Sequence, residues 1–83
     1  MPRYFFHVRE IGNFIEDEEG RDLPGLEVAR AEALKGARSI ISDDVSKGVI
    51  DLSSAIEVAD SAGAVLLTLS FGDSVRIERR EDA

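Results

Sequence analysis

The sequence predicts an α+β fold in which one amphipathic helix packs on a small, mostly antiparallel sheet, in the element order β-β-α-β-β. Between Leu26 and Ser46 the apolar residues recur every three or four positions, which is the spacing of a helix face. Residues 3–10 are rich in β-forming side chains, and two further strand-like segments follow the helix. A chain of 83 residues predicts a single domain over residues 1–83.

The chain opens with a predicted β-hairpin. Alternation along residues 3–10 places Tyr4, Phe6 and Val8 on one face and Phe5 and His7 on the other. Turn-forming residues at 12–13 are followed by a short returning strand at 14–17. We expect the acidic run at 16–19 to form a solvated turn.

The predicted helix has a start signal, a stop signal and a narrow apolar stripe. Pro24 restricts the residue before it to an extended conformation, and Gly25 is an acceptable N-cap. The Lys47-Gly48 pair is a C-terminal stop. Small residues occupy the centre of the stripe, so the helix is expected to lie close to the sheet: Ala29, Ala33 and Ala37.

The second half predicts another hairpin, with strands at 56–60 and 64–70. Ile50 and Leu52, just before it, are expected to close the bottom of the core. The later strand is apolar on both faces and is therefore expected to lie at the centre of the sheet, with one face made by the residues Val65, Leu67, Leu69 and Phe71. Alternation at Val75–Arg79 allows a short C-terminal edge strand, and residues 79–83 are expected to form a loose tail.

No arrangement of residues in the sequence indicates catalysis, a cofactor or a metal. His7 is the one histidine, cysteine is absent, and none of the usual histidine pairs of metal sites occurs. The acidic run is contiguous, whereas a calcium loop needs alternating oxygen ligands around a glycine. Neither a nucleophile motif nor a phosphate-binding glycine loop occurs. We therefore predict a protein that is not an enzyme and needs no cofactor.

Charge narrows the classes of partner. The net charge is −7 and no basic patch emerges, so nucleic acids and anionic membrane surfaces are not expected as partners. The first ten residues contain no long apolar run before their charges, which argues against a signal peptide or a membrane span. We expect a cytoplasmic location.

The most informative feature is a surplus of apolar side chains. One helix covers one face of a sheet, so Phe5, His7, Leu66 and Thr68 are left on the opposite face. An exposed patch with a Phe and a Leu indicates a partner or a ligand. We therefore predict a non-enzymatic protein-interaction or regulatory module that forms a homodimer through this face and has room for an unidentified protein partner.

Two alternatives remain open for that face. A small ligand can use it as an apolar wall, with His7 as the polar anchor. Alternatively, the tail or the segment 49–54 can fold over the patch and cover it within one chain.

Four stretches of the chain carry a resemblance to a known family: PRYFFHV at 2–8, DEEG at 17–20, ARAEA at 29–33 and IEVAD at 56–60. Together they resemble a family of small bacterial proteins classed as a domain of unknown function, over about residues 2–71. The resemblance implies a bacterial source and a short stand-alone protein. It implies no catalytic or binding residue.

A weaker likeness is to the HicB-type antitoxin domain. That domain also opens with a hairpin, followed by a D-x-P-G turn and an acidic amphipathic helix, as residues 22–27 do here. The segment that HicB-type domains place between turn and helix is missing, and no separate DNA-binding region follows. Despite these differences, an antitoxin is kept as a further alternative.

Overall fold

The computed structural model describes residues 1–80 and has the predicted α+β architecture. In chain order, the elements are β1 (Arg3–Glu10), β2 (Asn13–Ile15), β3 (Arg21–Asp22), α1 (Leu26–Ser46), β4 (Ala55–Ala59), β5 (Val65–Ser70) and α2 (Phe71–Ser74). The two-residue strand β3 and the single turn α2 were not predicted. The other elements have the predicted type and order.

All strand pairs in the sheet are antiparallel, and the order is β2-β1-β4-β5. β3 pairs with the beginning of β1, on the same side as β2. The prediction that the strand at 64–70 is central was wrong, because β5 lies at the edge of the sheet. Apolar residues on both faces of a strand show that the faces are covered, but they do not determine whether another strand pairs on each side.

The core lies between α1 and one face of the sheet. Close packing of the alanine stripe is confirmed, since Ala29, Ala33 and Ala37 are fully buried. They join one apolar cluster with sheet residues and the start of α2: Tyr4, Ile56, Val58, Leu69 and Phe71. Small side chains at each helical turn let the helix backbone approach the strands.

Both ends of α1 fall where the sequence places them. Gly25 is the N-cap, with an extended backbone and without a side-chain hydrogen bond. Lys47 is the C-cap, and its N–H bonds to carbonyls of the last turn. Gly48 follows with φ of +87°, a left-handed conformation that glycine adopts without steric cost.

Two predictions about the core need correction. Leu52 packs against the core as expected, but Ile50 is 47 % exposed and does not close it. Val65 was placed with Leu67 and Leu69, yet it is 52 % exposed. The register between β4 and β5 shifts between Val58 and Ala59, so that Val65 lies opposite Ala59 and turns away from the core.

The predicted C-terminal edge strand at Val75–Arg79 does not form. Instead α2 turns the chain at the end of β5, and the Arg38 Nε of α1 donates to the Ser74 carbonyl at 2.8 Å. Residues 75–80 have no regular secondary structure, and the rest of the predicted loose tail lies outside the described residues. In residues 1–80 we find no helix with the length and apolar character needed to cross a membrane.

Candidate functional site

The face of the sheet turned away from α1 is formed by three cross-strand rows, because residues directly opposite each other on neighbouring strands point to the same face. The first row runs from Phe5 through Ala59 to Val65, and the second from His7 through Glu57 to Thr68. The third runs from Phe14 through Arg9 and Ala55 to Ser70. We call this surface the open face and define it by its principal residues: Phe5, His7, Arg9, Phe14, Glu57, Val65 and Thr68.

An aromatic cluster occupies the β1–β2 side of the open face. The rings of Phe5 and His7 are stacked, with centroids 6.4 Å apart and planes 12° from parallel. The ring of Phe14 lies 5.4 Å from that of His7. The Arg9 guanidinium sits over the Phe14 ring at 4.6 Å, which is within range of a cation–π interaction. The cluster thus places aromatic rings next to the Arg9 guanidinium, on the side of the sheet that faces away from α1.

The two charges on the open face neutralise each other. Arg9 Nε donates to Glu57 Oε2 at 2.6 Å across the β1–β4 pair. Glu57 supplies the hydrogen bond and the charge that raise the pKa of Arg9 above its ordinary value. Glu57 therefore pairs with Arg9 here. The centre of the open face is thus electrically neutral in a chain whose net charge is −7.

His7 is held in one tautomer by the loop between β2 and β3. The backbone N–H of Asp17 donates to His7 Nδ1 at 3.0 Å. A nitrogen that accepts a hydrogen bond carries no proton in the neutral ring, so the proton lies on Nε2. His7 also lines the cavity described below, where this N–H can act as a donor.

Asp17 joins the β2–β3 loop to the part of β1 that pairs with neither β2 nor β3. Asp17 Oδ2 accepts the backbone N–H of Phe6 at 3.0 Å, and Oδ1 accepts those of Glu19 and Gly20 at 3.1 and 3.2 Å. The expectation that residues 16–19 form a solvated turn was therefore wrong for Asp17. Its carboxylate replaces the missing strand partner of Phe6.

The same contacts determine the ionisation of Asp17. Partial burial on its own would raise the pKa of this carboxyl group, and it is the largest single effect. The hydrogen bonds from Phe6, Gly20 and Glu19 and the nearby His7 act together in the opposite direction. Their sum exceeds the effect of burial, so the pKa of Asp17 lies below its ordinary value.

A cavity of about 340 Å³ opens beside Phe5 and His7. Its other walls come from the β2–β3 loop and the β4–β5 turn: Glu16, Asp17, Glu18, Asp60, Ser61 and Gly63. Asp60 is engaged within its own turn, where Oδ1 accepts the N–H groups of Ala62 and Ala64, both at 2.9 Å. The cavity thus combines an aromatic wall with an acidic rim.

Among residues 1–80, no three or more acidic or histidine side chains are arranged so that they could hold a metal ion. The acidic run does not converge, because Asp17 turns towards β1 while Glu16, Glu18 and Glu19 are exposed.

The register brings together three of the four residues predicted for the interface. Phe5, His7 and Thr68 lie on the open face, in neighbouring rows. Leu66 lies at the register shift without a partner on β4 and is 43 % exposed. Sequence reasoning missed Phe14 and Asp17. The aromatic at the start of β2 was a usable signal for Phe14, whereas the role of Asp17 depends on the interrupted strand pairing.

A protein-family model described as Domain of unknown function (DUF6894) matches residues 3–72. The chain belongs to this family. The match confirms the resemblance to a domain of unknown function, and it spans the whole sheet and α1. No curated protein and no solved structure matches the chain. The bacterial source and the cytoplasmic location stay predictions, as does the likeness to HicB-type antitoxins.

Proposed function

We propose that this DUF6894 domain is a non-enzymatic interaction module that self-associates through its open face. The observation that supports this most directly is an apolar and aromatic surface on the uncovered side of the sheet. Val65 and Phe14 are each more than two-fifths exposed there, and so is Leu66 at the register shift beside it. Exposed apolar side chains that lie together, beside polar residues, are typical of association surfaces.

A second copy of the chain fits this face on grounds of charge. Two molecules that each carry −7 repel one another, so a stable contact needs a surface whose central charges are paired. The Arg9–Glu57 pair provides this in the middle of the open face. A twofold axis then lets each face bury the half-exposed Phe14 and Val65 side chains of the other, each contributing on the order of 1 kcal/mol.

The test is the double substitution Phe5→Asp with Leu66→Asp, measured by analytical ultracentrifugation over a range of concentrations. The wild type is expected to dimerise, and the double variant to sediment as a monomer. Thr68→Arg is a milder companion, because the exposed Thr68 side chain can be enlarged without disturbing the core. If the double variant does not fold, Thr68→Arg alone still tests whether the open face forms the contact.

The matched control is Val28→Asp with Val45→Asp. It adds the same two negative charges at exposed apolar positions of α1, away from the open face. This control should dimerise like the wild type. A wild type that stays monomeric at every concentration would show that the proposal is wrong, and a folded Thr68→Arg variant that still dimerises would assign association to another surface.

The cavity supports a second candidate, binding of a small ligand. The sequence predicted an apolar wall with His7 as polar anchor, and the cavity does contain Phe5 and His7. Its exposed carboxylates, Glu16 and Glu18, favour a small organic cation, because a cationic group can meet both the carboxylates and an aromatic ring.

Titration with an alkylguanidinium salt, followed by NMR chemical shifts, tests this alternative. Shifts confined to the cavity and abolished by Glu16→Gln with Glu18→Gln would favour ligand binding. Shifts that are weak and spread over the whole surface would count against it. The antitoxin alternative stays a prediction, because no contact within residues 1–80 favours it over self-association.

A further inference from the structure

Two features of the structure are each incomplete in a single chain, and they complement each other. One is the segment 75–80, which follows α2 and which we call the tail segment. The other is the outer side of β5, which pairs with no strand in residues 1–80.

The tail segment begins in an extended conformation. Val75, its first residue, has φ of −136° and ψ of 154°, which are the angles of a strand. Arg76 and Arg80 both lie near the Glu78 carboxylate, with N–O distances of 2.6 and 3.8 Å. In a strand, residues 76, 78 and 80 share one face, and Val75 and Ile77 lie on the other. Val75 packs against the core of its own chain, whereas Ile77 is 68 % exposed.

The outer side of β5 offers hydrogen-bonding groups to such a strand. The Phe71 N–H donates to the Ser54 carbonyl at 2.8 Å, which continues the β4–β5 pairing. Because the direction alternates along an antiparallel strand, the N–H groups of Thr68 and Ser70 point away from β4. β5 has no charged residue and no proline, which are common protections of strand edges.

We propose that the tail segment of one copy pairs with the outer side of β5 in a second copy, and that two copies exchange tails. This inference rests on the self-association proposed above and names the segment that completes it. Through this exchange, the sheet of each copy gains one strand beside β5. The exposed Ile77 then has an apolar neighbour on the β5 of the other copy.

The charge of the tail segment suits a second copy of the same protein. In the sequence, the three arginines of residues 75–83 stand against three acids, so this end of the chain is neutral by count while the whole chain carries −7. It therefore meets less repulsion from the acidic body of another copy than an acidic segment would, and the uncharged β5 edge receives it without an unpaired charge.

The experiment uses two full-length variants, each blocking one half of the contact. Thr68→Pro removes the outward N–H of β5 while leaving the hydrogen bonds to β4 in place. Ile77→Asp places a charge on the apolar face of the tail segment. Ile11→Asp charges an exposed isoleucine on the β1–β2 turn and is the control for Ile77→Asp. Thr68→Val keeps the N–H, so the difference between it and Thr68→Pro separates the loss of the N–H from any change in the Thr68 side chain, which belongs to the open face.

Ile77→Asp is expected to raise the dimer dissociation constant at least tenfold over that of Ile11→Asp, and Thr68→Pro at least tenfold over that of Thr68→Val. An equimolar mixture of Thr68→Pro and Ile77→Asp should recover dimers, because the mixed pair retains one intact tail and one intact edge. Native mass spectrometry identifies the mixed species. A mixture that stays monomeric would overturn the tail exchange, as would blocking variants that dimerise normally.

The outcomes separate this inference from the proposed function. If the open-face variants lose the dimer and the mixture does not recover it, the open-face proposal stands and tail exchange is wrong. If the mixture recovers dimers while the open-face variants dimerise normally, tail exchange stands and the open face is not the contact.

Discussion

The Asp17 carboxylate accepts the backbone N–H of Phe6 at 3.0 Å, in a stretch of β1 where neither β2 nor β3 pairs with it. The next residue along β1, His7, accepts the N–H of Asp17 through Nδ1. A single aspartate therefore joins the acidic loop to the strand that carries the aromatic cluster. Loop and open face are expected to be stabilised or weakened together.

Replacing Asp17 should lower the stability of the fold more than replacing an ordinary acidic residue on the surface. Asp17→Ala removes the acceptor of three backbone N–H groups, and we expect it to lower the free energy of unfolding by roughly 1–3 kcal/mol. Urea unfolding followed by circular dichroism measures this. The neighbouring Glu18→Ala is the control, and it should change stability by less than about 0.5 kcal/mol. Equal effects of the two substitutions would contradict the role of Asp17.

The same residue predicts a pH dependence. The pKa of Asp17 is lower in the folded chain than its ordinary value, so around that pH the unfolded chain binds more protons. The contribution of Asp17 to stability is therefore complete above about pH 4, the ordinary range of aspartate. It is lost as the pH falls through the lowered value of the folded state. Asp17→Asn should show a shallower loss of stability below about pH 4 than the wild type. An unchanged slope would contradict this assignment.

Gly20 and Gly12 form a natural pair for separating backbone strain from steric clash. Both have φ of +70°, but a Cβ at Gly20 would lie 2.9 Å from the Tyr4 carbonyl oxygen and 2.9 Å from the Phe5 ring, whereas a Cβ at Gly12 meets nothing within 4 Å. Gly12→Ala should cost about 1–2 kcal/mol from the left-handed backbone alone. Gly20→Ala should cost about 1–3 kcal/mol more, because the Tyr4 backbone cannot move easily. Thermal unfolding of both variants checks this, and equal melting temperatures would refute it.

The helix–sheet contact leaves little room for larger side chains. Ala33 is 1 % exposed at the centre of the buried stripe, so Ala33→Leu should overpack the core and destabilise the fold by roughly 1–3 kcal/mol. Ala31→Leu is the control, since Ala31 is an exposed residue of the same helix. An Ala33→Leu variant that melts at the wild-type temperature would show that this helix face is less tightly packed than described.

The ion pair on the open face predicts an unusual pattern in self-association. Arg9→Ala leaves the Glu57 carboxylate unpaired on the surface proposed for dimerisation, and Glu57→Ala does the same to the Arg9 guanidinium. Each single variant should therefore weaken the dimer, while the double variant should recover part of the loss, because the face is neutral again. Sedimentation of the three proteins measures this pattern. Losses that simply add in the double variant would place the pair outside the contact.

Patterns that involve neighbouring turns of the chain were readable from the sequence. The helix Leu26–Ser46 was predicted with its bounds because its signals are local: contacts three or four residues apart, Gly25 before it and Gly48 after it. The split of β1 into a core face and an open face follows from strand alternation alone. These features hold whichever strands become neighbours, so sequence reasoning is reliable for them.

Long-range pairing decided the rest. The edge position of β5 and the outward turn of Val65 depend on which strand pairs with β4 and on a register shift at Leu66, and neither leaves a local mark in the sequence. The structural role of Asp17 exists because the pairing of β1 is interrupted at Phe6. The tail segment alternates like a strand, but it follows the turn of α2 and pairs with no strand within residues 1–80. Alternation predicts a strand conformation, whereas hydrogen bonding to a neighbouring strand is a property of the assembled sheet.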